Sequence, residues 1–124
     1  MKQLFPYEKL ETWHDAKSLV LHIYKIVANF PANEQFGLSN QMKRAVVSVA
    51  SNLAEGGSRM SLRDQAHFSQ LAFSSLMEVA CQADIAMSLS FIDESIYQEL
   101  RQEIEMLSRK LGALRNSQVR RSSQ

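Results

Sequence analysis

Hydrophobic and polar positions between Leu38 and Gly57 recur with the period of an α-helix that has two unlike faces. At about 100° per residue, apolar side chains fill one arc and mostly uncharged polar side chains fill the arc beside it. The polar arc consists of Gln41, Arg44, Ser48, Asn52 and Glu55. A solvated face would lie opposite the apolar one and would be rich in Lys and Glu. The pattern therefore predicts a polar strip between packed helices.

The same period predicts three more helices. The first has an apolar stripe of Leu10, Trp13, Ala16, Val20, Tyr24 and Val27, and the fourth has one of Tyr97, Leu100, Ile104, Leu107, Leu111 and Leu114. The four helices are predicted over about 7–29, 39–55, 61–90 and 94–116, and a frayed polar tail over 117–124. Short connections between four helices predict an all-α fold, an antiparallel up-down-up-down four-helix bundle that occupies residues 1–124 as one domain.

Capping side chains and glycines mark the predicted helix ends. Ser39, Ser61 and Asp93 are the expected N-caps, because a side-chain oxygen there can accept from a free backbone N–H. The second helix is expected to close at Gly56 and Gly57, since glycine tolerates the left-handed conformation of a helix C-terminus.

Ser75 and Glu78 form a matching polar line on the third predicted helix. We call the combined set the polar seam: Gln41, Arg44, Ser48, Asn52, Glu55, Ser75 and Glu78. An unpaired buried polar group costs about 1–3 kcal/mol, so the polar seam is expected to be a hydrogen-bonded network within the bundle or between subunits.

A charged pair is predicted within the polar seam. Counting back from a turn near residue 58 places Arg44 level with residues near 72, from which its long side chain would reach toward Ser75 or Glu78. A lone buried charge is very costly. Arg44 and Glu78 are therefore predicted to pair, within one chain or across a subunit boundary.

Composition narrows the class of protein. The chain has 124 residues, 45% hydrophobic and 22% charged, with a formal net charge of +1 that provides no global attraction to nucleic acid. Its single cysteine, Cys81, excludes an internal disulfide and, with its apolar neighbours, is expected to be a small core residue. No secretory signal and no run of about 20 apolar residues is visible. We therefore expect a soluble cytoplasmic protein.

Catalytic and cofactor chemistry find little support in the sequence. No histidine falls on the polar seam to activate a nucleophile, and no phosphate loop or zinc spacing is present. Glu11 with His14, a weaker Asp64 with His67, and Glu55 provide the residue types of a di-metal carboxylate bundle. However, Glu11 and His14 point away from the bundle if Trp13 points into it. We therefore expect no enzyme, no cofactor and no bound metal.

Basic residues gather near the end of the chain without an acid among them: Arg109, Lys110, Arg115, Arg120 and Arg121. One interpretation is a complement to the helix dipole followed by a solvated tail. The other is a nucleic-acid contact, which a cyclic oligomer would repeat as a ring. A scaffold that binds only protein is a third interpretation of the whole chain.

The run from Gly37 to Gly56 resembles a family signature. Its matching positions are Gly37, Leu38, Gln41, Arg44, Ala45, Ser48, Asn52, Ala54, Glu55 and Gly56. The family is that of the bacterial four-helix bundle proteins encoded in 23S rRNA intervening sequences, and the resemblance covers about residues 5–115. Ala50 and Ser74 depart from it, since the family often has proline and glycine at these positions.

The resemblance implies a homo-oligomer, commonly a five-fold ring, and does not imply an enzyme. A similar bundle is the accessory protein of diversity-generating retroelements, which works with a reverse transcriptase and its template RNA. The likeness makes RNA, or a reverse-transcriptase-like enzyme, a candidate partner by analogy only. The excess of apolar and small polar surface on the second and third helices also predicts self-association.

Overall fold

Four long helices form the fold in the computed structural model, which describes residues 4–124. They are α1 (Glu11–Val27), α2 (Leu38–Gly57), α3 (Leu62–Ser88) and α4 (Glu94–Ser122), and no strand occurs within the described residues. Short 3₁₀ turns at Pro6–Lys9 and Ala32–Glu34 precede α1 and α2. Each helix packs on the next one along the chain, and α4 returns to contact α1. The predicted all-α antiparallel four-helix bundle is confirmed.

The core is one cluster to which all four helices contribute. On α4 the predicted stripe is buried from Tyr97 to Leu111, with Leu100 and Leu111 completely inaccessible to solvent. The corresponding centre of α2 is Met42, Val46 and Val49. These positions repeat every three or four residues, as a helix that buries one face requires.

Two sequence-based assignments to the core were wrong. Ala16, Leu19 and Ile23 are the completely buried residues of α1, and of these only Ala16 lies on the predicted stripe, whereas the stripe residue Tyr24 is 43% exposed. Cys81 is also exposed. On α3 the inward positions next to it are Gln82 and Ala83, so the helix turns the thiol outward.

Several helix ends differ from the predictions. The predicted N-caps of α3 and α4 are confirmed, because Ser61 Oγ accepts from Asp64 N and Asp93 Oδ1 accepts from Ile96 N. Ser39 is buried inside α2 and is not its cap. Instead, the carboxylate of Glu34 accepts from the N–H of Leu38 at 3.0 Å.

Glycines do not end α2 in the predicted way. No glycine has a positive φ in the described part of the chain, and α2 continues through Gly57. The helix ends when Ser58 N donates to Glu55 O and Ser58 Oγ caps the same carbonyl. At the other end of the chain, α1 begins only at Glu11, because Leu10 is extended (φ −91°, ψ 117°).

The predicted frayed tail was wrong. α4 continues to Ser122, six residues past its predicted end at 116. Gln118 is buried and accepts a hydrogen bond from Ser69 Oγ on α3 at 2.7 Å. The last turns are therefore docked on the start of α3. Within residues 4–124, no helix combines the length and apolarity that crossing a membrane requires.

Candidate functional site

The centre of the polar seam is a small hydrogen-bond network between α2 and α3. The hydroxyls of Ser48 and Ser75 lie 2.9 Å apart. Asn52 Nδ2 donates to the Ser48 carbonyl at 2.9 Å and to Ser48 Oγ at 3.0 Å. All three side chains are half-buried, and each of them has a hydrogen-bond partner within the network.

The outer members of the polar seam face solvent. Gln41, Arg44, Glu55 and Glu78 are all exposed. Glu55 forms a surface ion pair with Arg59 at 3.5 Å, one helical turn away on the same chain.

The predicted pairing of Arg44 with Glu78 within one chain was wrong. Because Ser48 lies opposite Ser75 on antiparallel helices, Arg44 is level with Val79 rather than with residues near 72. Arg44 and Glu78 therefore lie at nearly the same height along the two helices. Both side chains are exposed, however, and no ion pair joins them within the described chain. A pair across a subunit boundary remains a prediction.

Lys110 differs from the other basic residues near the end of the chain because it forms ion pairs with α1. Its Nζ donates to Asp15 Oδ2 and to Glu11 Oε1, each at 2.8 Å. The hydrogen bonds from Asp15 first and Glu11 second raise the pKa of Lys110 above 10.5. Lys110 thus fastens α4 to α1 and leaves the arginines to form any anion-binding surface.

Four arginines remain on the last turns of α4. Arg109, Arg120 and Arg121 are exposed and Arg115 is half-buried, and none forms an ion pair within residues 4–124. Arg109 and Arg120 are eleven residues apart, three turns or about 16 Å along the same outward face. No Asp or Glu follows Glu105 in the sequence. The docked helix therefore holds these cations on a rigid surface.

A groove between α1 and α2 was not found by sequence reasoning. We call it the α1–α2 groove, and it consists of two hollows that share Val47 and Ser51. The residues that line it are Tyr7, Trp13, Lys17, Val20, Tyr24, Asn40, Lys43, Arg44, Val47, Ser48, Ala50, Ser51 and Ala54. Sequence periodicity placed Tyr24 in the core, and a buried Tyr24 could not line a groove on the surface. The available signal was that α1 has more apolar side chains than one core face can hold.

The residues considered for a metal site have other contacts. Glu11 is bound by Lys110, and His14 Nε2 lies 2.8 Å from the carbonyl oxygen of Glu8. Asp64 and His67 are exposed at the start of α3. Across the described part of the chain, no three His, Cys, Asp or Glu side chains are grouped so as to hold a metal ion.

Residues 8–113 match the family model described as 23S rRNA-intervening sequence protein. The chain belongs to this family. The match confirms the family inferred from the run between Gly37 and Gly56. Among curated proteins, none matches the chain.

A solved member of the S23 ribosomal protein family has the same fold. It is a Bacteroides thetaiotaomicron VPI-5482 protein of unknown function, known from a crystal structure at 1.70 Å. Its identity to this chain is 17%, with a TM-score of 0.75 over 83% of this chain and 96% of the Bacteroides protein. Neither this description nor that of the family names a catalytic activity.

The residues of the 23S rRNA-intervening sequence signature have a clear place in the structure. Ser48 and Asn52 build the hydrogen-bond network, and Gly56 allows α3 to approach α2 closely. A Cβ atom at Gly56 would lie only 2.8 Å from Phe68 Cβ. The signature therefore describes how α2 and α3 pack together, and its exposed members Gln41, Arg44 and Glu55 border that contact.

Proposed function

We propose that this protein is a cytoplasmic, non-enzymatic homo-oligomer, with five subunits as the resemblance implies, that binds RNA or an enzyme acting on nucleic acid. The observation that carries the proposal is the docked end of α4. There, four arginines without carboxylate partners lie on a helix held in place by the bond between Gln118 and Ser69. Positive charge on a rigid surface is the electrostatic feature by which proteins bind phosphate backbones.

The surface formed by α2 and α3 supports self-association. On α3, Leu71 is 38% exposed and lies on the same face as Ser75 and Glu78, which follow it by one and two helical turns. Small hydroxyls and partly exposed apolar groups side by side suit a contact with another copy of the chain. Static light scattering at micromolar concentration is expected to give a multiple of the 14.1 kDa chain mass. A monomer would refute this part of the proposal.

Salt dependence tests the nucleic-acid part. We expect a fluorescein-labelled RNA to bind with an affinity that falls steeply between about 50 and 200 mM salt. Changing Arg109, Arg120 and Arg121 together to alanine should lower the slope of log K against log salt by about 2, at roughly 0.7 per lost single-strand phosphate contact. The matched control is Arg101→Ala, because Arg101 on the same helix is already paired with Glu105.

The result also decides between RNA and the protein-only scaffold. The control variant should keep the wild-type slope. An oligomer that binds no RNA even at 50 mM salt would contradict the nucleic-acid proposal and favour the scaffold. An unchanged slope in the triple variant would show that RNA binding does not use the end of α4.

A further inference from the structure

We infer that the α1–α2 groove binds single-stranded nucleic acid, with Tyr24 as its base-stacking platform and Lys43 and Arg44 as phosphate contacts. The inference rests on the nucleic-acid partner of the proposed function. It names the strandedness of that partner and a second surface, away from the α4 arginines.

Two aromatic rings mark the two ends of the groove. Tyr24 is 43% exposed beside Val47, which is 38% exposed. Trp13 lies eleven residues earlier on α1, about 16 Å along the helix axis. One side of the Trp13 ring packs against Tyr7, whose ring centroid is 4.6 Å away. Tyr24 is therefore the more open platform, and Trp13 is the anchor at the far end.

A cation accompanies each ring. Lys43 Nζ lies 5.2 Å from the centroid of Tyr24, and Lys17 Nζ lies 5.7 Å from that of Trp13. Arg44 lines the same hollow as Lys43. Proteins that bind single strands without sequence preference combine aromatic platforms for bases with positive side chains for the backbone. The alternation of ring and cation along the groove has this form.

The charges in the α1–α2 groove are all of one sign. No carboxylate lines either hollow, and Lys17, Lys43 and Arg44 form no ion pair within the described residues. The groove between α3 and α4 provides the contrast. It is lined by Asp84 and Glu105, and its one cation, Arg101, is bound by Glu105 and by the hydroxyl of Tyr97. Of these two grooves, only the α1–α2 groove has the charge that suits an anionic partner.

The size and lining of the groove favour an extended strand. It follows α2 from Asn40 to Ala54, about 21 Å at 1.5 Å per residue. Its hollows have volumes of about 420 and 500 Å³. Asn40 and Ser51 provide an amide and a hydroxyl that can hydrogen-bond to base edges. A duplex would keep its bases stacked on one another and could not use Tyr24 as a platform.

Trp13 provides a direct signal, because it is the chain's single tryptophan. The probe is a fluorescein-labelled 12-nucleotide poly-uridine RNA, compared with an RNA duplex of equal length. Anisotropy of the label gives affinity, and the unlabelled RNA should quench Trp13 emission. We expect Tyr24→Ala to weaken single-strand binding about tenfold, the loss of one stacked base. Tyr24→Phe should bind as the wild type does, because it keeps the ring.

The control variant is Phe36→Ala, which removes an aromatic ring that is 89% exposed outside the groove. It should leave affinity unchanged. Since Tyr24 is exposed, its replacement is expected to preserve the fold, which circular dichroism will verify. Lys43→Ala should weaken binding and lower the salt slope by about 0.7.

The outcomes separate this inference from the proposed function. RNA binding without quenching of Trp13 and without an effect of Tyr24→Ala would overturn the inference and leave the proposed function standing. No RNA binding at all would overturn both. If Tyr24→Ala instead dissociates the oligomer in light scattering, the occupant of the groove is a second copy of the chain, and the inference is wrong.

Discussion

The hydrogen bond between Ser69 and Gln118 provides a sharp test of how α4 ends. Ser69 Oγ donates to Gln118 Oε1 at 2.7 Å, and the two residues are only 3% and 8% exposed. Ser69→Ala would leave the Gln118 carbonyl without this donor where water has little access. The expected loss in the free energy of unfolding is about 1–3 kcal/mol, the cost of an unsatisfied buried polar group.

The second half of a double-mutant cycle is Gln118→Leu, which removes the amide and retains most of the side-chain volume. The Ser69 hydroxyl can then turn to a backbone carbonyl one helical turn earlier, so the expected loss is smaller, about 0.5–1.5 kcal/mol. The double variant Ser69→Ala with Gln118→Leu breaks one hydrogen bond but leaves no orphaned partner. Its loss should therefore be less than the sum of the single losses, by about 1 kcal/mol.

Urea unfolding followed by circular dichroism measures the four free energies. A change in midpoint at constant m-value will show that stability, rather than compactness, has changed. Hydrogen exchange of the amides from 117 to 122 adds a local measurement, because helix termini can open without global unfolding. Single losses below about 0.5 kcal/mol that simply add, with unprotected amides, would show that these turns are frayed and would refute the docked helix.

Two glycines and one ion pair provide further tests by the same unfolding assay. Gly112→Ala places a Cβ with no atom within 4 Å and should stabilise the protein by about 0.5–1 kcal/mol. Gly56→Ala places one 2.8 Å from Phe68 Cβ, and should destabilise by about 1 kcal/mol after helix propensity offsets part of the overpacking. If the two glycine variants were both stabilised or both destabilised, this expectation would be wrong. Lys110→Met should destabilise the protein at pH 8 and destabilise it less at pH 11. The hydrogen bonds to Asp15 and Glu11 raise the pKa of Lys110 in the folded protein, so the charged lysine stabilises the fold below pH 10.5. This contribution fades as the pH rises through the pKa of Lys110 in the folded protein. An equal difference at both pH values would mean that the ion pair is not formed.

Sequence periodicity predicted the buried face of α4 correctly but that of α1 only in part, because Ala16 and Val27 are buried whereas Tyr24 is exposed. Apolar residues of α4 are confined to positions such as Leu100 and Leu107, with polar residues between them, so only one face can be buried. On α1, apolar residues occur nearly all round the helix between Leu19 and Val27. Periodicity then cannot show which face of α1 is buried. That depends on where α2 and α4 pack against α1.

Side-chain length explains the mixed outcome at the polar seam. Ser48 and Ser75 are short, so their hydroxyls can reach only the adjacent helix, where they meet. Arg44 and Glu78 start from the same strip but can extend their charged ends into water. A helical wheel gives the direction of the Cβ atom and not the reach of the side chain, and for this reason it cannot predict burial of long polar residues.

Helix register depended on the connection between α2 and α3. The sequence placed the turn near residue 58 because two glycines precede it. In the structure α2 continues through Gly57, and the connection takes residues up to Ser61. Antiparallel pairing is therefore centred between Ser61 and Leu62, which moves the residue opposite Arg44 by about two helical turns, from near 72 to Val79. An error of a few residues in a turn is thus doubled in the pairing.

Net charge also conceals how charge is distributed over the bundle. From Asp64 to Glu105 the sequence has eight acidic residues and one arginine, whereas the remainder has thirteen basic and five acidic residues. The total of +1 is the small difference between two oppositely charged parts. In the folded chain, α3 and the first half of α4 are acidic, while the α1–α2 groove and the end of α4 expose cations. Surface potentials depend on this local arrangement and are screened over about 10 Å at 0.1 M salt. A phosphate backbone at either basic surface would therefore encounter the local excess, and binding with a steep salt slope is consistent with a nearly neutral chain.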